Sequence, residues 1–158
     1  MFQLCTIYKS GLEKTIIIPS IVNCDFKLSN IGVVKMMSVN NPKTENQQTV
    51  ETLDVLERHL NAFRLGDVDL TLQDYAADAI IINGTGEIIR GTSQIHETFI
   101  SVFRDYFPEG TRDIEIDEKT ICGEVAYIRW RTTNTKLATD TIIVRNGKIV
   151  AQTFAAYF

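Results

Sequence analysis

The stretch Arg64–Asn83, RLGDVDLTLQDYAADAIIIN, constrains the fold of this chain more than any other. It reads as the end of one helix, a Gly66-Asp67 turn, a short second helix and an apolar strand that closes on a polar residue. Asp67 and Asp69 fall where a helix N-terminus takes side-chain acceptors and negative charge. Ala79-Ile80-Ile81-Ile82 leads in as a strand, and Asn83-Gly84-Thr85-Gly86 turns the chain out again.

The flanking sequence supplies the partners of these elements. From Gln47, the residues Val50, Leu53, Leu56, Leu60 and Phe63 recur at helical spacing and predict an amphipathic helix of about four to five turns. Thr44-x-x-Gln47 forms a capping box at its start. Glu87–Arg90 reads as a brief strand. Gly91-Thr92-Ser93 then opens a helix with the apolar stripe Ile95, Phe99, Val102, Phe103 and Tyr106, which Pro108-Glu109-Gly110 ends. The strands Thr111–Ile121, Glu124–Thr133, Leu137–Arg145 and Lys148–Phe158 complete the chain. Asn146-Gly147, between the last two, is the strongest hairpin signal, because a type I′ turn needs positive φ at both central residues. Helices first and a meander last predict an α+β fold, with three N-terminal helices packed on one face of a curved, mainly antiparallel sheet.

At 158 residues and 44% hydrophobic content, the chain can bury its own core in one domain. A net charge of −4 argues against nucleic acid or an anionic membrane as the main partner, since both select basic surface. No apolar run approaches the roughly 20 residues that cross a bilayer. The cysteines Cys5, Cys24 and Cys122 form no C-x-x-C pair, and His59 and His96 are far apart, so no metal site is predicted. A reducing, cytoplasmic compartment is the simplest expectation. Asn83-Gly84-Thr85 satisfies a glycosylation sequon but reads as a turn.

Residues 1–45 differ from the rest. They show neither helical periodicity nor sustained alternation and end in Asn40-Asn41-Pro42-Lys43-Thr44-Glu45. Two readings stand for this segment: an N-terminal extension that adds a strand or arm through Thr15–Val22, or a start of translation at Met36 or Met37. The domain proper is placed at residues 46–158.

Over roughly residues 47–158 the chain resembles the SnoaL-like and ketosteroid-isomerase-like proteins of the nuclear transport factor 2-like superfamily. The resemblance is carried by Leu65-Gly66-Asp67-Val68-Asp69, Tyr75-Ala76-Ala77-Asp78-Ala79, Ile89-Arg90-Gly91, and Asp140-Thr141 through Gly147-Lys148-Ile149-Val150. It implies a cystatin-like cone with an interior pocket, and it favours a dimer. It does not imply one reaction, because the same cone serves isomerases, cyclases, dehydratases, hydrolases and non-catalytic binders. Aligning the Gly-Asp turn places His59 at the steroid-isomerase tyrosine, Asn83 at the aspartate base and Asp140 at the protonated acid. A carboxamide cannot take a proton from carbon, so that proton shuttle does not carry over.

Asp140 and His59 are the candidate catalytic residues. Asp140 interrupts the alternating set Ala138, Ile142, Val144, where a carboxyl is costly unless hydrogen-bonded or neutralised. It reads either as a pocket acid or as a lock within the sheet. His59 sits at the edge of the first helix's stripe and would pair with Asp140 if the two converge. Asn83, Trp130, Gln152, Ile142 and Tyr75 are the candidate ligand-binding residues, each with a plain structural alternative. Ala126, Ile128 and Trp130 are expected to face the helices, opposite Tyr127, Arg129 and Arg131. That outer face, with Thr139 and Thr141, is a candidate dimer surface. The expected function is binding of a small, largely apolar molecule, with isomerisation, dehydration or cyclisation that needs no cofactor. The competing expectation is a non-catalytic binding or dimerisation module.

Overall fold

Thr44 opens the first helix with a complete capping box. Its hydroxyl accepts from the Gln47 N–H, and the Gln47 side chain accepts from the Thr44 N–H. The computed structural model describes residues 2–9, 12–19 and 43–158. In it α1 spans Glu45–Leu65, starting earlier than the apolar spacing alone predicts because the cap, not the stripe, sets the first turn. Val50, expected in the stripe, is exposed, while Val55, Leu56, His59, Leu60 and Phe63 are buried. Gly66 ends the helix at φ 67°, a left-handed conformation that suits glycine. Asp67 then caps α2 (Val68–Leu72), its carboxylate accepting from the Leu70 N–H at 2.9 Å.

The strands are β1 (Phe2–Lys9), β2 (Leu12–Pro19), β3 (Tyr75–Asn83), β4 (Ile88–Arg90), β5 (Glu115–Cys122), β6 (Val125–Arg131), β7 (Leu137–Arg145) and β8 (Lys148–Tyr157). They form one sheet in the order β2-β1-β5-β6-β7-β8-β3-β4. Every neighbouring pair is antiparallel except β3 and β8, which run parallel across the long connection through α3 (Gly91–Ser101). Breaks in register at Ile116/Glu118, Ile143/Val144 and Tyr75/Ile80 bend the sheet around the helices. The result is the α+β cone, with three helices against the concave face. The segment read as an N-terminal extension supplies β1 and β2, and β1 pairs with the β5 edge from Thr6↔Ile121 to Lys9↔Glu118. Met36 and Met37 lie outside the described residues.

Two local features shape the interior. Asn146 and Gly147 take φ 52° and 71°, as the hairpin requires, and set the β7–β8 register. The third helix is not one regular helix down to Pro108. From Val102 to Tyr106 it widens into a π-helical turn, closed by the Phe107 N–H donating to the Val102 carbonyl at 2.9 Å. The extra residue in that turn rotates the chain beyond it relative to a regular helix. Tyr106, expected in the stripe, is therefore exposed, and Phe107 swings inward to be fully buried.

Candidate functional site

The concave face encloses a cavity of about 730 Å³. Its walls are mostly aromatic and aliphatic. Leu56, Leu60 and Phe63 come from α1, Phe99 and Val102 from the third helix and its extension, and Ile128, Trp130 and Ile142 from the sheet. Trp130 faces inward with Ala126 and Ile128, as the alternation predicts, because those positions are buried while Val125 and Arg131 are exposed.

At the centre of the sheet side lies Asp140, 7% exposed. It sits beside Ile128 on β6 and Phe154 on β8. One carboxylate oxygen accepts from Trp130 Nε1 at 2.6 Å and the other from Gln152 Nε2 at 2.7 Å. The Tyr75 hydroxyl donates in turn to Gln152 Oε1. Burial pushes the Asp140 carboxyl up to about 6, and the Gln152 and Trp130 donors hold it from going higher. The group therefore titrates just below neutrality, where one carboxyl can both take and return a proton. Trp130, Gln152 and Ile142 line the cavity beside it. Tyr75 does not; it stands behind Gln152 and orients its amide, and burial raises its hydroxyl well above the usual range.

His59 also lines the cavity, with its ring edge-on to Tyr75 at 5.4 Å and to Phe99 at 6.2 Å. Burial lowers its pKa to about 4, with the Arg58 charge adding to the effect, so the ring is neutral near pH 7. His59 and Asp140 thus share one cavity, and Tyr75 and Gln152 link them. The carboxylate that faces His59 belongs to Asp74, at 3.8 Å from Nδ1. Asp74 is fully buried, and Arg58 Nε donates to its other oxygen at 2.5 Å. Nothing in the local sequence marks Asp74, which reads as an ordinary residue between α2 and β3. His96 stands apart, its side chain about one-third exposed beside Glu97.

Asn83 lies at the cavity rim, where both ends of its amide serve the β3–β4 turn. Oδ1 accepts from the Thr85 N–H, the Thr85 hydroxyl and the Glu87 N–H, and Nδ2 donates to Glu87 Oε2 at 2.9 Å. These bonds fix the turn, and Asn83 also stands among the residues that line the cavity. Among the described residues no group of histidine, cysteine and acidic side chains is arranged to hold a metal. No helix among them is long and apolar enough to cross a membrane.

A cone of this kind, with helices closing a curved sheet over an apolar cavity, is the fold seen in solved cystatin-fold and nuclear transport factor 2-like proteins. The profile of the SnoaL-like domain matches residues 56–156, and the chain belongs to that family. Among curated proteins none matches the sequence. Solved structures share the fold at low identity. A nuclear transport factor 2-like protein of unknown function from Mesorhizobium loti is 20% identical, with a TM-score of 0.60 over 75% of this chain and 98% of that one. A Kribbella flavida protein assigned as a ketosteroid isomerase is 12% identical, with a TM-score of 0.57 over 70% and 81%. A Sinorhizobium meliloti protein assigned as a polyketide cyclase is 17% identical, with a TM-score of 0.55 over 67% and 97%. At these identities the likeness concerns the fold alone.

Proposed function

We propose that this protein binds a small, largely apolar molecule inside the cone and acts on it by acid–base chemistry that needs no cofactor, of the isomerisation, dehydration or cyclisation type. The observation that carries this reading is Asp140, a buried carboxyl in an aromatic cavity with both oxygens held by donors and its pKa lifted to about 6. As the carboxylate, Asp140 takes a proton from the bound molecule; as the acid, it returns one. Trp130 and Gln152 fix the orientation of its lone pairs throughout. Cysteines without a pairing pattern support a reducing, cytoplasmic setting.

We further propose a homodimer through the outer sheet face. There Arg129 pairs with Glu118 at 3.2 Å, and Arg131 pairs with Glu115 at 2.6 Å and Asp117 at 3.5 Å. Such exposed pairs contribute little to a monomer. Sedimentation velocity at tens of micromolar is expected to report a dimer that Tyr127→Glu weakens; a monomer removes this interface.

A thermal-shift screen with neutral bicyclic to tetracyclic compounds tests the pocket. A ligand present at about 100 times its Kd stabilises the native state by about 2.7 kcal/mol. The expected result is a set of hits that Ile142→Trp, which intrudes on the cavity beside Asp140, weakens or abolishes. Hits that Ile142→Trp leaves unchanged place the binding elsewhere. A protein that binds at this cavity yet turns over no hit, with or without Asp140, is a binding module.

A further inference from the structure

Two buried polar atoms beside the cavity lack a hydrogen-bond partner, and they face one another: His59 Nδ1 and Asp74 Oδ2, 3.8 Å apart. Both atoms are buried, and no protein group satisfies either. Buried polar atoms left this way are costly. If Nδ1 carries no proton, its lone pair opposes a carboxylate oxygen. If it carries one, an N–H points at that oxygen across a gap about 1 Å longer than a hydrogen bond. Hydrogen bonds of catalytic groups are often long before substrate binds and tighten in the complex.

We propose that Asp74 is a positioning residue that fixes His59 in its Nδ1–H tautomer, so that Nε2 presents a lone pair to the cavity. The cavity then offers two acceptors, Asp140 and His59. The ligand class that suits them is a neutral ring-bearing alcohol or phenol, which donates, rather than a ketone or carboxylate, which cannot.

The surroundings of Asp74 fit this task. Its N–H donates to the Thr71 carbonyl at 3.3 Å, and its own carbonyl accepts from the Ile149 N–H at 2.7 Å, which pins it where α2 gives way to β3. Arg58 binds Oδ1 and opposes the effect of burial on the carboxyl, with the Lys148 charge assisting, so Oδ2 remains for the imidazole. The groups around His59 are Arg58 from its own helix, Asp74 ahead of β3, the rings of Tyr75 and Phe99, and Asp140 beyond Tyr75 and Gln152. Among the described residues no lysine or arginine lines the cavity, while Glu87 and Glu97 do, so a carboxylate ligand meets no counter-charge from them.

The tautomer is independent of the proposed pocket function; the ligand class rests on it. Nitrogen NMR of the full chain, labelled at its histidines and assigned with His96→Gln, reads the tautomer directly. The expected spectrum near neutral pH shows His59 protonated at Nδ1 and bare at Nε2. Asp74→Asn can turn an amide N–H toward Nδ1 and should move the proton to Nε2, and Asp74→Glu should restore at least part of the original state. An Nε2–H tautomer in the wild type overturns the proposal, whether or not the variants fold. Titration with 2-naphthol and 2-acetylnaphthalene tests the ligand class: the alcohol should bind at least about tenfold tighter. A ketone that binds as well or better overturns the class. Failure of both to bind overturns the class together with the pocket function, while the spectrum still decides the role of Asp74.

Discussion

Asp140→Asn is expected to lose stability relative to the wild type as the pH falls, by about 2 kcal/mol between about pH 7.5 and about pH 4. The Asp140 carboxyl lies at about 6 in the folded protein against 3.8 in the unfolded chain. The folded state therefore binds the proton more tightly. Stability from this group is fully present below about 3.8 and is lost as the pH rises through about 6. The gap corresponds to about 3 kcal/mol, most of it realised by about pH 4.

His59 works in the opposite direction. Its pKa falls from 6.5 to about 4 on folding, so its neutral burial loses stability as the pH drops through that range. The windows overlap, and the wild type should show little net change between about pH 4 and 6 on account of this pair. Removing the Asp140 titration unmasks the His59 cost. The Asp74 carboxyl, raised by burial, and the carboxylates of Glu51, Asp105 and Asp113, lowered by their hydrogen bonds, are common to both proteins and cancel in the difference. Denaturant titrations of both proteins at several pH values give the slope. Parallel pH profiles mean that Asp140 is not a buried acid of elevated pKa. If the protein is an enzyme, the same substitution should also lower turnover by a factor of about 100 or more, the usual scale of general acid–base assistance.

Phe107→Ala is expected to destabilise the fold by about 3–5 kcal/mol, a large share of the roughly 5–15 kcal/mol that holds a domain together. Phe107 is 1% exposed and packs edge-on to Phe63 at 5.2 Å, with Trp130 at 5.7 Å and Phe158 at 5.8 Å. Its truncation removes the ring that joins α1, β6 and the C-terminus. Because one side already borders the cavity, part of the new space merges with it, and the lower end of the range is expected. Phe107→Leu keeps most of the volume and should cost less than half as much. A loss below about 1 kcal/mol for Phe107→Ala would mean that the π-helical turn does not deliver this ring into the core.

The elements legible in the sequence are those governed by local physics. Helical spacing in α1, the Gly66-Asp67 turn, alternation in β6 and β7, and the Asn146-Gly147 hairpin each depend on a few neighbouring residues, and apart from the first turns of α1 and the exposed Val50 each lies where those residues place it. Asp140 on the inner face follows from period-two alternation with Ala138 and Ile142. What Asp140 touches does not follow from it. Trp130 and Gln152 reach it from β6 and β8, and Tyr75 reaches Gln152 from a strand 77 positions away, because the crossover lays β3 parallel to β8. The π-helical turn that buries Phe107 leaves no mark in the apolar spacing, because an inserted residue per turn is chosen by packing against α1 and the sheet. Asp74 is silent in the sequence for the same reason: only the folded chain brings it to Arg58 and His59. Periodicity decided which residues face inward, since that is a property of one strand or one helix. The tertiary structure alone decided which of them meet, since that depends on register, crossover and burial across the whole sheet.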